Sequence, residues 1–325
     1  MTGEPFVLFG QLLGLAFAAG LNLYATVALL GLAGQLGIMN ALPPQLRGLE
    51  HPIVLATATA LYLVEFVVDK VPRLDTAWDT LHTVIRPAAA AMLTVAALSD
   101  APFAVRATAG CLAGGVALLA HATKAGIRIT FLAGRGAAAH ATASVAEDIL
   151  AVGLAGAALA FPGAALGLVA AAIAGSLPLA PRLSRAFLLG LRAALAWIRG
   201  LFFGAHWREP REMPRGLRAL LDPATFGFGN PAVARVAVRG LPGVGAYRNG
   251  WLVLAGDRPF LLYRARFRAR ALLLPAGEAT LRRLLGADIA TVQGERLRYQ
   301  IFFLKDGPAP ELALAGLTPG AEVHT

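Results

Sequence analysis

From residue 6 to residue 180 the chain is a series of apolar runs separated by short polar breaks. The first, residues 6–38, is interrupted by Gln11, Asn22 and Gln35. As one helix it would reach roughly 50 Å, well beyond a hydrocarbon core of ~30 Å. A break is therefore expected, and Gly20-Leu21-Asn22 is the natural place for it. Further runs follow at 52–69, 87–99, 104–132, 144–161 and 163–180, the last two divided by a turn at Phe161-Pro162-Gly163. Several are short and rich in Ala and Gly, which suits helices that pack closely against one another. The pattern predicts an all-α polytopic membrane bundle of about six spans over residues 1–180.

The pattern changes after residue 180. In "RLSRAFLLGLRAALAWIRGLFF" Arg185, Arg192 and Arg199 recur every seven residues and share one helical face. An amphipathic helix lying in the membrane interface is expected over 181–206, then a linker over 207–229. From about residue 230 the period becomes two, with turn signals at Asn249-Gly250 and Gly256-Asp257. Arg264, Arg266, Arg268 and Arg270 alternate with small or apolar residues, so one strand would show all four on one face. That face is either simply solvated or a contact for anionic lipid headgroups. "GEATLRRLLGA" reads as a short helix and "RLRYQIFFLK" as a closing strand. Residues 230–325 are thus expected to form a small β-rich soluble domain, a barrel or a PH-like sheet with one helix.

Composition agrees. Hydrophobic residues make up 57% of the chain and charged ones 15%, and a mean hydropathy of +0.63 belongs to integral membrane proteins. The N-terminus has no basic stretch and carries Glu4, so the first run reads as a retained span. One cysteine, Cys111, excludes an internal disulfide framework. Residues 1–206 hold 12 Lys+Arg and 9 Asp+Glu, whereas residues 207–325 hold 17 and 10. The basic tail favours an anionic neighbour, with lipid headgroups ahead of nucleic acid. It belongs on the cytoplasmic side by the positive-inside rule, together with Lys70, Arg73, Arg86 and Arg135.

One polar stretch stands out, "EFVVDKVPRLDTAWDTLHTVIRP" at 65–87. Glu65 and Asp69 are one helical turn apart, with Lys70 beside them. Asp75, Asp79, His82 and Arg86 step by four, three and four, a continuous helical stripe. Leu74, Trp78, Leu81 and Ile85 step alongside it, so 74–86 is expected to be an amphipathic interfacial helix that ends at Pro87. His121, Lys124 and Arg128 form a second stripe, and His140, Ser144, Glu147 and Asp148 a third. With six spans, acids of one half meet bases of the other in one layer near the inner face. Such residues mark pathways or sites, against a structural reading as interfacial anchors and salt bridges. Asn22, at the break, suits a cavity-lining broken helix as well as a packing hydrogen bond. Two halves of three spans would be inverted with respect to each other, as in many transporters.

"GLNLYATVALLGLAGQLG", "LYLVEFVVDKVPRLDTAWDTLHTVIRP", "HATKAGIR" and "SVAEDILA" resemble the bacterial membrane family catalogued as domain of unknown function 4126, over about residues 5–180. The resemblance implies a multi-span, Gly/Ala-rich bundle of the bacterial inner membrane, without an assigned activity. Its motif falls on Asn22, Glu65, Asp69, Lys70, Asp75, Trp78, Asp79, His82, Arg86, Lys124, Arg128, Glu147 and Asp148. The family pattern carries a Gly/Asn/Pro-rich loop before S-x-x-E-D, where this chain has "GRGAAAHATA".

Three functions follow as expectations. The first is a transporter or lipid-headgroup translocator using the charged layer as its substrate or ion pathway. The second is a non-catalytic scaffold whose basic tail binds anionic lipid, nucleic acid or a partner through Arg185, Arg192, Arg199, Arg264, Arg266, Arg268 and Arg270. The third is a membrane-embedded, metal-assisted hydrolase drawing on Glu65, Asp79, His82, His121 or His140, although no HExxH, GxSxG, Walker or Rossmann spacing occurs. No catalytic residue, metal ligand or cofactor is assigned. Small residues on helix faces admit a homo-oligomer.

Overall fold

The computed structural model describes residues 4–37, 44–70, 74–132, 137–204, 206–221, 231–255, 258–284 and 286–317. The chain divides into two compact units, Met1–Phe187 and Leu188–Thr325.

The first unit is helical. Helices α1 (Glu4–Leu21) and α2 (Leu23–Gln35) are separated by Asn22, whose extended backbone (φ −147°, ψ 104°) interrupts the run where expected. Its side-chain oxygen accepts from the Ala25 N–H at 2.9 Å and so caps α2. Next come a 3₁₀ turn (Pro44–Glu50) and α3 (Pro52–Val68), which starts on a proline suited to its first turn. Then follow α4 (Asp75–Ala97), α5 (Phe103–Leu132), α6 (Ala137–Ala160) and α7 (Pro162–Ser176). Finally α8 (Ala180–Phe203) runs across the boundary into the second unit.

Helix α1 packs against α4, α5, α6 and α7. Gly20 permits its closest approach to α5, since a Cβ there would sit 2.4 Å from the Ala117 carbonyl oxygen. The bundle's interior is built of small residues such as Ala18, Ala113, Ala117, Ala155, Ala158 and Ala165, while Val84, Met92, Phe103, Ile149 and Leu150 stand exposed. Small inside and large apolar outside is the arrangement of helices surrounded by lipid. Among the described residues, four helical stretches are long and apolar enough to cross a membrane: Trp78–Ala97, Phe103–Ile129, Ala141–Ala160 and Pro162–Phe203. Three shorter apolar helices, Phe6–Leu21, Leu23–Gln35 and Pro52–Val68, accompany them.

One expectation is corrected. Pro87 does not end a separate interfacial helix, because α4 continues through it to Ala97. A proline inside a membrane helix is tolerated when neighbouring elements re-satisfy the disturbed backbone. The Pro87 carbonyl here lies against Gly114 of α5, 3.1 Å from where a Cβ would be. Asp79, His82 and Arg86 are thereby carried on a helix long and apolar enough to cross a membrane.

The second unit is a seven-stranded antiparallel sheet, ordered β4-β3-β2-β1-β7-β6-β5. Its strands are β1 (Ala232–Arg239), β2 (Arg248–Ala255), β3 (Arg258–Ala265), β4 (Arg268–Leu273), β5 (Glu278–Arg283), β6 (Ala287–Gln293) and β7 (Arg298–Leu304). Strands β4 and β5 are the two ends of this order. One face holds the main core, with Val236, Leu252, Leu261, Tyr299, Ile301 and Phe303 under Ala313 and Leu317 near the short helix Glu311–Ala315. On the other face Val233, Trp251 and Leu262 pack under Met213 and Leu217.

Three local readings are corrected here. "GEATLRRLLGA" contains β5, because pairing with β6 outweighs a helix preference too short to nucleate alone. Asn249-Gly250 lies inside β2, and Gly256-Asp257 falls outside the described residues. The alternating arginines turn a corner: Arg266, at φ 54°, and Phe267 form the tip of the β3–β4 hairpin. Arg264 then faces Ala269, while Arg268 and Arg270 lie opposite Ala265 and Tyr263 on the other face.

Candidate functional site

Four helices present charge at one level of the first unit. Glu65 lies near the C-terminal end of α3, with Asp69 closing that helix. On α4 the steps of three and four put Asp79, His82 and Arg86 on one face, and on α5 the same spacing aligns His121, Lys124 and Arg128. Helix α6 adds Ser144, Glu147 and Asp148, and the break between α1 and α2 adds the carbonyls of Gly20 and Leu21 and the side chain of Asn22.

These groups meet. Arg86 forms a close ion pair with Glu65 Oε1, both side chains fully buried. Its other terminal nitrogen donates to the Gly20 carbonyl at 2.9 Å. Lys124 Nζ lies 3.1 Å from Asp69 Oδ2, 3.5 Å from Glu65 Oε1 and 3.7 Å from Glu147 Oε2. It also donates to the Leu21 carbonyl at 3.0 Å. Arg128 reaches Asp69 at 2.5 Å and Glu147 at 2.7 Å. The helix break thus has a physical role: its freed carbonyls are acceptors for two buried cations.

The imidazoles are held in defined tautomers. Arginine can only donate, so the 3.0 Å contact from Arg86 makes His121 Nδ1 an acceptor. The His121 proton then sits on Nε2 and donates to the Asp79 carbonyl at 2.9 Å. His82 Nδ1 donates to the Trp78 carbonyl at 2.8 Å, which leaves Nε2 to accept from the Tyr24 hydroxyl at 3.0 Å. Tyr24 was not among the sequence candidates; its place two residues after the Asn22 break was the available signal.

Among the described residues the ion pairs do not take up every acid. Glu65, Asp69 and Glu147 share Arg86, Lys124 and Arg128, three acids with three bases. Asp79 and Asp148 are buried as well, and among the described residues neither forms an ion pair. Asp148 is held by the Asn22 amide, which donates to Oδ1 at 2.9 Å. Several buried polar atoms have no hydrogen-bond partner among the described residues: Glu65 Oε2, Asp69 Oδ1, Asp79 Oδ1, Ser144 Oγ and Asp148 Oδ2.

Other candidates lie elsewhere. Lys70 donates to the Phe66 carbonyl at 2.9 Å and lies over the Phe66 ring, half-buried at the margin of the layer. The side chains of Asp75 and His140 fall outside the described residues, as do residues 133–136 of the departing loop. Among the described residues no group of three or more His, Cys, Asp or Glu is placed to hold a metal ion. Arg185 donates to the Pro181 carbonyl at 2.6 Å, within the first unit. Arg192 and Arg199 belong to the second.

The charged layer lies within the segment that a known family model covers, that of the Domain of unknown function (DUF4126), which matches residues 10–182. Among curated proteins and among solved structures, none matches the chain. With a match over more than half its length, and with the layer carried on the matched helices, the chain belongs to the DUF4126 family.

Proposed function

We propose that the helical unit is a transporter or lipid-headgroup translocator, and that its step is driven by proton binding in the charged layer. The observation that carries this reading is Asp79 and Asp148, two buried carboxylates that form no ion pair among the described residues. Ionised carboxylates away from water and without a cation are costly, so a proton or a cationic group is favoured beside them. Six neighbouring ion pairs among three acids and three bases, with two carbonyls at a broken helix, supply the alternative partners that an exchanging site needs. An anionic substrate would compete for Arg86, Lys124 or Arg128, and a protonatable one for Asp79 or Asp148.

The competing reading is a sealed staple in a non-catalytic membrane scaffold, favoured by the complete burial of Glu65 and Arg86. Proton flux separates the two. In liposomes loaded with a pH-sensitive dye and held at a potassium-set potential, the wild-type chain is expected to dissipate the gradient. Asp148→Asn, which keeps the shape and the Asn22 contact region, is expected to stop it. No wild-type flux, or flux unchanged in both Asp148→Asn and Asp79→Asn, would remove the layer from any transport step.

A further inference from the structure

The second unit contains a cavity of about 470 Å³ whose lining plays no part in the charged layer. Its floor is the β1–β2 face bearing Arg235 and Trp251, and its walls are the C-terminal half of α8 and the segment around Glu212–Leu217. Helix α8 lies close to the end of β7 beside this space, since a Cβ on Gly200 would sit 2.9 Å from the Lys305 carbonyl oxygen. Four guanidinium groups line this space: Arg192 and Arg199 one per two turns of α8, Arg235 on β1 and Arg264 on β3.

Two carboxylates also line it, Glu212 and Asp306, but both are already taken. Arg208 donates to Glu212 at 2.9 Å and to Asp306 at 2.8 Å. That hydrogen bond holds the Glu212 carboxyl below its usual range. Arg235 lies opposite Trp251 in the strand register, with its guanidinium carbon 5.1 Å from the indole centroid. Burial, then the positive field of Arg208, makes the Arg235 proton easier to lose. An anion entering the cavity would relieve that repulsion.

We infer that this cavity binds a phosphate monoester carrying an apolar group. Forked guanidinium donors match phosphate oxygens in pairs, and four of them exceed what one carboxylate would need. Trp251, Leu189, Leu195 and Leu217 offer the apolar side of the same space. The volume lies in the range of small-ligand sites, roughly 300–1,000 Å³. A lipid headgroup and a free phosphate ester share this chemistry.

The test uses the full-length chain in detergent and two water-soluble probes, glycerol 3-phosphate and dihexanoyl phosphatidic acid, titrated calorimetrically. At least one is expected to bind, and Arg199→Gln and Arg235→Gln should each weaken it tenfold or more. Arg270→Gln, on the other sheet face, removes the same charge and should change affinity less than twofold. Tighter binding of the phosphatidic acid, the one probe that carries an apolar group, supports the assignment, and equal or tighter binding of glycerol 3-phosphate would overturn it. Arg199 is exposed on its helix, so its variant tests the site without disturbing the core. Binding of neither probe, or equal losses in Arg199→Gln and Arg270→Gln, would overturn the assignment.

Discussion

Replacing Glu65 by Gln probes the energetics of the layer most sharply. The change keeps size and removes one negative charge from a fully buried pair. Lys124 Nζ at 3.5 Å alone loses an attraction of about 5 kcal/mol at an effective dielectric near 20. Arg86 loses a closer partner and keeps the Gly20 carbonyl and His121 Nδ1. Part of this is offset because Gln needs less desolvation than Glu. Breaking a buried pair from one side costs about 3–5 kcal/mol in practice, and that is the expected loss in equilibrium unfolding by SDS, followed by circular dichroism. The double variant Glu65→Gln/Arg86→Gln removes both charges and should recover more than half of it. Lys124 retains Asp69 and the Leu21 carbonyl throughout. A single-variant cost under about 1 kcal/mol, or a double variant that simply sums two losses, would refute the buried-pair account.

Other substitutions follow from the same geometry. Asp148→Asn should leave unfolding stability unchanged or raised, since it neutralises a buried carboxylate without an ion pair, while stopping proton flux. Gly20→Ala should lower stability by about 1–3 kcal/mol, the usual cost of overpacking, because the new Cβ meets the Ala117 carbonyl at 2.4 Å; detergent thermal scans would check it. Leu252→Ala, at a fully buried β2 position, should cost about 2–5 kcal/mol as cavity and transfer terms combine, read from the melting of the sheet by far-ultraviolet circular dichroism. The Arg208–Glu212 tie is complete above the ordinary glutamate range and lost as pH falls through the lowered value. Hydrogen exchange at Glu212 should therefore rise in acid, and Arg208→Gln should remove that step.

Much of the helical unit was legible because two signals agree in it. A run too long for one membrane crossing must break, and Asn22 is polar, close to a glycine and able to cap the next helix. Stripes at spacings of three and four identified nearly every group in the layer. What spacing could not convey is continuity through Pro87, since local chemistry signals an end there and only packing against Gly114 and its neighbours lets the helix proceed. It also could not convey the charge balance, which depends on which carboxylates share three cations. In the sheet, the residues of β5 favour a helix as strongly as a strand, and their partner β6 decides. The corner at Arg266-Phe267 carries neither glycine nor asparagine, so nothing in the chain announces it. The arginines of the cavity come from one helix and two strands, scattered over residues 192–264, and only the fold assembles them.

The central claim is that the charged layer opens to water rather than staying sealed. Ser144 tests it directly, because its side chain is fully buried and its hydroxyl has no partner among the described residues. In a Cys111→Ser background, Ser144→Cys would be exposed in membranes to a water-soluble thiol reagent, with Gln45→Cys as the freely exposed control. The account predicts slow but complete modification of Ser144→Cys in the folded protein. No modification until the protein is denatured would contradict it and leave the layer a closed structural staple.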